Sequence, residues 1–231
     1  MESPANPVAG PATPVAIAAV FDVDRTLLPG TTTERLFIAY LVRKRVLSLG
    51  GLLKTGYYLL RQFPHMSPME AIRQQRVYLT GQPAARLRAL AERCYEEEIA
   101  PRLSQAGRAA VREHREQGHI TVLLSGSIDF LLMPLQRDLG ADHLISTHLE
   151  EKDGRLTGRI DGAWPYGDTK ALLINHFAQQ HGVDFTASYA YADHHTDEAV
   201  LALFGNPVVV NPRTKMQQIA AGRQWPTREF R

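Results

Sequence analysis

The chain has 231 residues, 44% of them hydrophobic and 22% charged, which is typical of a globular protein with one large domain or with a core domain and a smaller one. Its formal net charge of +2 is too small to predict binding to nucleic acid. The single cysteine, Cys94, excludes an internal disulfide framework and a zinc site built from paired thiols. It suits the reducing cytoplasm, where we expect the protein to work.

The chain divides into three predicted regions. Residues 1–14 contain four prolines and lack the basic start and apolar centre of a signal peptide, and we expect them to form a disordered leader. A first strand at about residues 16 to 22 precedes a helical stretch that is too long for one crossover helix. Prolines divide that stretch, and we interpret residues 31–104 as an inserted helical cap domain. The core domain then comprises residues 15–30 and 105–231.

Two carboxylates follow the first strand. Asp22 and Asp24 share one face of an extended chain and can converge where the strand becomes a loop, with Thr26 two residues further on. Adjacent carboxylates repel each other unless they share a cation. The pattern therefore indicates a site for a hard divalent cation with a carboxylate oxygen left for nucleophilic attack. The alternative is a surface turn, in which Asp and Thr are common.

The most apolar part of the chain, residues 36–63, is expected to form two amphipathic helices that pack on neighbouring elements. A basic cluster, Arg43-Lys44-Arg45, and a pair of glycines interrupt it. Neither half reaches the roughly 20 apolar residues that a membrane span needs. The alternative is a surface that lies on a membrane or faces a lipid, which the basic cluster would favour.

After the helical stretch, short apolar strands alternate with helices. The predicted strands lie at residues 119–124, 143–146, 188–192 and 208–210, a hairpin at 147–160, and the helices at 127–139, 168–181 and beyond Pro212. This alternation predicts an α/β fold with a doubly wound, mainly parallel sheet that helices cover on both faces.

Polar residues follow the predicted strand at 119–124. Ser125 and Gly126 stand before a predicted helix, where a hydroxyl and exposed N–H groups suit a phosphate. The alternative is that Ser125 simply caps the helix.

The strand at 188–192 delivers two more carboxylates. Asp193 and Asp197 are four residues apart, and with Asp22 and Asp24 they could complete an oxygen-rich site for Mg²⁺. The intervening pair His194-His195 suggests a transition metal instead, but adjacent side chains point in different directions and rarely bind one ion.

A lysine opens the helix at 168–181. Lys170 opposes the helix dipole there, which is unfavourable unless an anion lies nearby. The alternative is a solvated surface lysine.

Together these residues resemble the haloacid dehalogenase-like (HAD) superfamily of phosphatases. Its four motifs occur in order: D-x-D-x-T at Asp22, Asp24 and Thr26, a strand ending at Ser125, a lysine at Lys170, and D-x-x-x-D at Asp193 and Asp197. The resemblance covers about residues 16 to 215 and implies a Rossmann-like HAD core. The helical insertion resembles the cap of the phosphoserine-phosphatase-like branch. Arg25 stands where many relatives carry Gly, and His194 stands where Gly or Ser is usual.

The resemblance implies a mechanism. Asp22 would attack phosphorus and form an aspartyl-phosphate, and Asp24 would act as the acid and base. The phosphate ligands would be Ser125, Gly126 and Lys170, with Thr26 holding the loop. The Mg²⁺ ligands would be the Asp22 carboxylate, the Asp24 main-chain carbonyl and Asp193, with Asp197 supporting them.

Substrate choice is expected to lie in the cap. Arg73 and Arg76 fall where phosphoserine-type enzymes place a carboxylate-binding arginine, although either could be a solvated helix charge. Glu34 lies farther from the first motif than the substrate-binding Glu of those enzymes. An apolar pocket would suit a lipid phosphate, and its candidate lining residues are Tyr40, Tyr57 and Phe63.

We therefore predict a Mg²⁺-dependent phosphatase for a small phosphorylated metabolite. The alternatives are a lipid-phosphate phosphatase at a membrane surface and a non-catalytic phosphate-binding protein. The sequence predicts no oligomeric state.

Overall fold

The structure is a computed structural model that describes residues 15–47 and 76–230 and the single positions 50, 53 and 57. The predicted leader, 1–14, lies outside the described residues. So do Arg73 and Phe63, and most of the second predicted amphipathic helix.

A seven-stranded sheet in the order β4-β3-β2-β1-β5-β6-β7 forms the centre of the fold. Its strands are β1 Ala18–Phe21, β2 Ile120–Ile128, β3 His143–Lys152, β4 Arg155–Asp161, β5 Tyr189–Ala192, β6 Asn206–Val210 and β7 Thr227–Arg228. All neighbours pair in parallel except β3 and β4, which form an antiparallel hairpin. The predicted mainly parallel sheet is confirmed, and the short strand expected at 143–146 is the first part of β3.

Seven α-helices lie within residues 15–47 and 76–230. They are α1 Thr33–Arg43, α2 Ala84–Cys94, α3 Gln105–Glu116, α4 Asp129–Leu139, α5 Asp168–His181, α6 Glu198–Leu201 and α7 Thr214–Arg223. A single π-helical turn, Tyr95–Ile99, and a short 3₁₀ turn, Ala100–Arg102, continue α2.

Helices cover both faces of the sheet, as a doubly wound fold requires. Successive residues of β1 point to opposite faces of the sheet, so that Val20 and Phe21 belong to different apolar clusters. The Phe21 cluster includes buried side chains of α1 to α4, and the Val20 cluster includes those of α5, α6 and α7. The Phe21 cluster also contains Phe37 of α1 and Leu87 of α2, so the described parts of the predicted cap pack directly on the core. The cap boundary at 31–104 stays a prediction.

The carboxyl end of β2 differs from the prediction. The strand continues to Ile128, and α4 begins at Asp129 rather than near residue 127. Between the pairs Leu124–Ile145 and Ile128–Thr147, β2 advances four residues while β3 advances two, which is a bulge. No side chain caps α4, so the alternative role of Ser125 as a helix cap is wrong. The bulged segment that contains Ser125 follows Leu123, which pairs with Phe21 at the end of β1.

A buried histidine lies near the opposite, amino-terminal edge of the sheet. His114 on α3 is 5% exposed, and its Nδ1 lies 2.8 Å from Nδ1 of His119 while its Nε2 lies 2.9 Å from the hydroxyl of Tyr191. Burial, with a smaller contribution from His119, lowers the pKa of His114 to about 4. The folded protein therefore holds this imidazole neutral under conditions in which an unfolded chain protonates it.

His114 is expected to make stability depend on pH. Because its pKa is lower in the folded state, its contribution is complete above pH 6.5 and is lost as the pH falls from 6.5 towards 4. The loss in free energy of unfolding should be about 2 kcal/mol, after allowance for solvent screening. Urea denaturation at several pH values would measure it. The slope of the free energy of unfolding against pH should flatten in His114→Gln and persist in His176→Gln, a control at an exposed position. Equal slopes in both variants would show that His114 is not the source of the pH dependence.

Candidate active site

The carboxylate of Asp22 is held on one oxygen by the turn after β1 and on the other by α5. Thr26 Oγ1 donates to Oδ2 at 2.9 Å, and Lys170 Nζ donates to Oδ1 at 2.6 Å. The turn itself is tight because the N–H groups of Leu27 and Leu28 both donate to the Val23 carbonyl. Within it, Arg25 has a φ of 70°, the left-handed region that glycine adopts most easily.

Asp24 is held from a different direction. Its Oδ1 accepts hydrogen bonds from the N–H and the hydroxyl of Thr33, at 2.7 and 3.0 Å, and its Oδ2 accepts one from Ser127 Oγ at 2.6 Å. Burial raises the pKa of Asp24, although the hydrogen bonds from Ser127 and Thr33 oppose the rise. A buried carboxyl with a raised pKa is suited to carrying a proton in a reaction.

Lys170 is a buried ion-pair partner and not a solvated surface lysine. Its Nζ lies 2.6 Å from Asp22 Oδ1 and 3.0 Å from Asp197 Oδ1. Burial alone would lower the pKa of Lys170, but the carboxylates of Asp197 and Asp22 more than offset that effect and raise it. The ammonium therefore stays charged and supplies fixed positive charge beside Asp22.

Three carboxylates meet at the carboxyl edge of β1 and β5. Asp22, Asp193 and Asp197 are all buried, and each offers one oxygen within 4.8 Å of the others. Burial raises the pKa of Asp193 to about 7, with repulsion from Asp22 and Asp197 adding to the rise. Among the described residues, Lys170 is the one cation bonded to this cluster. Three carboxylates with one ammonium leave an excess of negative charge, and this all-oxygen donor set fits Mg²⁺.

Ser125 and Gly126 lie in the bulged end of β2, the strand that pairs with β1. Ser125 Oγ accepts a hydrogen bond from the Ser127 N–H at 3.1 Å. A Cβ at Gly126 would lie 3.0 Å from the Pro165 carbonyl oxygen and 3.2 Å from Nε1 of Trp164. Glycine therefore allows the loop between β4 and α5 to pass close to the strand end, which brings Trp164 to the edge of the site.

Arg76 is buried beside the site, so the alternative interpretation, that it is a solvated charge on a helix, is wrong. It is 2% exposed, and its Nη2 donates to Glu34 Oε2 at 3.1 Å and to the Gly126 carbonyl at 3.0 Å. The Tyr78 hydroxyl donates to Glu34 Oε1 at 2.6 Å. The Arg76 Nε and Nη1 atoms are buried and contact no hydrogen-bond acceptor among the described residues. Unpaired donors of a buried cation are costly unless a ligand completes them.

Three residues were candidates for the lining of an apolar pocket, and two of them, Tyr40 and Tyr57, are described by the structure. The Tyr40 ring is buried in the core and its hydroxyl donates to Glu97 at 3.0 Å, while Tyr57 is 64% exposed. Tyr40 therefore belongs to the core. Phe63 lies outside the described residues. Across the part of the chain that the structure describes, no helix has the length and apolar character needed to cross a membrane.

The structure thus brings together the predicted residues of all four motifs, Asp22, Thr26, Ser125, Lys170, Asp193 and Asp197, with Asp24 close by. Thr33, Tyr78 and Trp164 join them without having been predicted. Thr33 is the last of three consecutive threonines, and nothing in that run singles it out. Tyr78 and Trp164 reach the site through tertiary contacts that carry no spacing signal.

Known proteins resemble this chain in sequence and in structure. Residues 19–202 match the family model of the haloacid dehalogenase-like hydrolases. A phosphoserine phosphatase of Mycobacterium tuberculosis is 29% identical over 219 residues, which cover 93% of this chain and 71% of that protein. A histidinol-phosphatase of Neisseria meningitidis is 26% identical over 229 residues, covering 92% and 98%. A solved structure from Bordetella pertussis, described as a protein of unknown function, superposes with a TM-score of 0.80 at 26% identity and covers 92% of this chain and 98% of that one.

Proposed function

The chain belongs to the haloacid dehalogenase-like hydrolases and is a phosphatase, and on that premise we propose that it hydrolyses a small phosphomonoester through an aspartyl-phosphate on Asp22. The observation that carries this proposal is the fixed Asp22 carboxylate, which lies between the ammonium of Lys170 and the hydroxyl of Thr26. A carboxylate held in one orientation beside a positive charge is suited to attack an anionic phosphate.

In the first half of the reaction an Asp22 oxygen forms a bond to phosphorus. The bond from phosphorus to the leaving oxygen breaks, and its electron pair stays on that oxygen, which takes the proton carried by Asp24. In the second half Asp24 accepts a proton from water as the water oxygen bonds to phosphorus. The bond to Asp22 then breaks, its electron pair returns to the carboxylate, and inorganic phosphate leaves with both aspartates restored.

Positive charge and hydroxyl groups are available for the phosphoryl oxygens. Lys170 and Ser125 would bind them, together with the main-chain N–H groups near Gly126. Mg²⁺ would be held by Asp22, Asp193 and the main-chain carbonyl of Asp24, and when bound it would neutralise charge on the phosphoryl group. Asp197 would support this arrangement through its ion pair with Lys170.

The surroundings of Arg76 support a small, polar substrate. Its two unpaired nitrogens, Nε and Nη1, suit an acceptor such as a carboxylate, and Glu34, whose side chain is 16% exposed, suits a donor such as an amine. The phosphoserine phosphatase and the histidinol-phosphatase that resemble this chain are both named for small amino-bearing phosphomonoesters. A lipid phosphate has less support, because Tyr40, a candidate for the apolar pocket that it would need, is buried in the core. The reducing cytoplasm remains the compartment that we propose.

Phosphate release from a panel of substrates tests the proposal. We expect the purified protein to hydrolyse p-nitrophenyl phosphate and at least one small amino phosphomonoester with Mg²⁺, and to lose this activity when EDTA removes the metal. Addition of Mg²⁺ after EDTA should restore it. Full activity in EDTA, or hydrolysis confined to lipid phosphates in vesicles, would contradict the proposal.

A further inference from the structure

Two buried hydroxyl groups hold the carboxyl of Asp24, and they come from opposite sides of the site. Thr33 is the first residue of α1, in the inserted segment, whereas Ser127 belongs to the bulged end of β2, in the core. Both side chains are buried. Their hydroxyl oxygens also lie 2.8 Å from each other, so that the two oxygens of Asp24 and the two hydroxyls form a closed ring of hydrogen-bonding partners.

A ring of this composition suits a carboxyl that gives up a proton and takes one back. A carboxylate only accepts hydrogen bonds, whereas a hydroxyl both donates and accepts. Rotation of the two hydroxyls can therefore satisfy Asp24 before and after it passes a proton to the leaving oxygen, and no heavy atom has to move. Motion of the carboxyl away from a productive geometry would be costly for proton transfer.

We propose that Thr33 and Ser127 are positioning residues that orient Asp24 for proton transfer to the leaving oxygen. This inference rests on the proposed function, in which Asp24 supplies that proton. Because Thr33 opens α1, the same contact ties the orientation of Asp24 to the inserted segment.

A purely structural role for Thr33 can be separated from a positioning role. The main-chain N–H of Thr33 also donates to Asp24, and this bond satisfies one of the free N–H groups at the start of α1. Thr33→Val keeps that bond and nearly the same volume, and it removes the hydroxyl alone. The chain offers a matched control in Thr121, which is also buried and whose N–H and hydroxyl both lie 2.8 Å from Asp142 Oδ2, near the other end of β2.

The test compares substrates with good and poor leaving groups. An alkoxide needs a proton to leave, whereas p-nitrophenolate does not, and kcat/KM reports the step in which the leaving group departs. For Thr33→Val and Ser127→Ala we expect kcat/KM to fall roughly 10-fold or more on an alkyl phosphomonoester and less than about 3-fold on p-nitrophenyl phosphate. Thr33→Ser should restore kcat/KM on the alkyl substrate, and Thr121→Val should show no difference between the two substrates.

Three results would contradict the positioning role of Thr33 and Ser127. Equal losses on both substrates, no loss on either, or the same leaving-group dependence in Thr121→Val would overturn the positioning role. If Thr33→Val does not fold, Ser127→Ala provides the same comparison. Asp22→Asn tests the proposed function separately. If that variant keeps turnover, the aspartyl-phosphate mechanism is wrong. If Asp22→Asn is inactive but Thr33→Val and Ser127→Ala lose equally on both substrates, only the positioning role is wrong.

Discussion

Replacement of Asp22 by Asn is expected to lower phosphatase turnover on the order of 10⁴-fold or more, by analogy with loss of the nucleophile in other covalent enzymes. An amide oxygen is a poor nucleophile, and the substitution leaves Lys170 paired with the carboxylate of Asp197 but not with one at position 22. The fold should survive, because Asn has nearly the same shape and its side-chain oxygen can still accept the hydrogen bond from Thr26 or Lys170.

Two measurements check this result. Steady-state phosphate release gives the loss of turnover, and rapid acid quenching followed by mass spectrometry detects a phosphoryl group on Asp22 in the native protein. Asp24→Asn is the informative companion, because it should slow both halves of the reaction and leave the nucleophile in place. Appreciable turnover in Asp22→Asn, or a phosphoryl group trapped at a different residue, would be incompatible with the proposed mechanism.

Much of the site is encoded in short segments and could be predicted from the sequence. Asp22, Ser125 and Asp193 each follow an apolar strand, and the carboxyl ends of parallel strands meet at one edge of a sheet. Lys170 could be singled out because its position at a helix start is unfavourable without a nearby anion. These inferences need only local periodicity and the rule that joins strand ends.

The remainder of the site depends on contacts between distant segments. Arg76 and Glu34 are 42 residues apart and meet because α1 and the 3₁₀ turn Val77–Leu79 pack near the same strand end. The bulge in β2 has no distinctive sequence, so a helix start at residue 127 was expected where the strand continues. The Thr33–Ser127 contact could not be predicted for both reasons. It joins residues 94 positions apart, and Ser127 lies in the bulge, which has no distinctive sequence.

Lys170 is the second position at which a large effect is expected. Lys170→Met keeps most of the side-chain length and removes its charge from between Asp22 and Asp197. Turnover should fall on the order of 10²-fold or more, because one fixed positive charge no longer stabilises the phosphoryl group in the transition state. The loss should appear in kcat on every substrate, since it concerns the phosphoryl group and not the leaving group.

The same substitution is expected to change how the metal-free protein responds to pH. The pKa of Asp193 is already raised to about 7, mainly by burial, and removal of the ammonium should raise the pKa values of Asp22 and Asp193 further. A carboxyl whose pKa is higher in the folded state contributes stability at low pH that is lost as the pH rises through the folded pKa. The melting temperature of metal-free Lys170→Met should therefore fall more steeply than that of the native protein between about pH 6 and pH 8.

Thermal unfolding in EDTA and in Mg²⁺ separates these effects of charge from a general loss of packing. The proposed Mg²⁺ would bind the folded state, so it should recover stability in Lys170→Met at the higher pH by supplying the missing positive charge to the carboxylate cluster. It should not recover turnover, because the ammonium contacts that Lys170 would make with the phosphoryl group are still absent. Lys215→Ala, at an exposed position on α7, is the matched control and should leave both properties unchanged. If Lys170→Met kept half of the native kcat, Lys170 would have no part in binding the phosphoryl group.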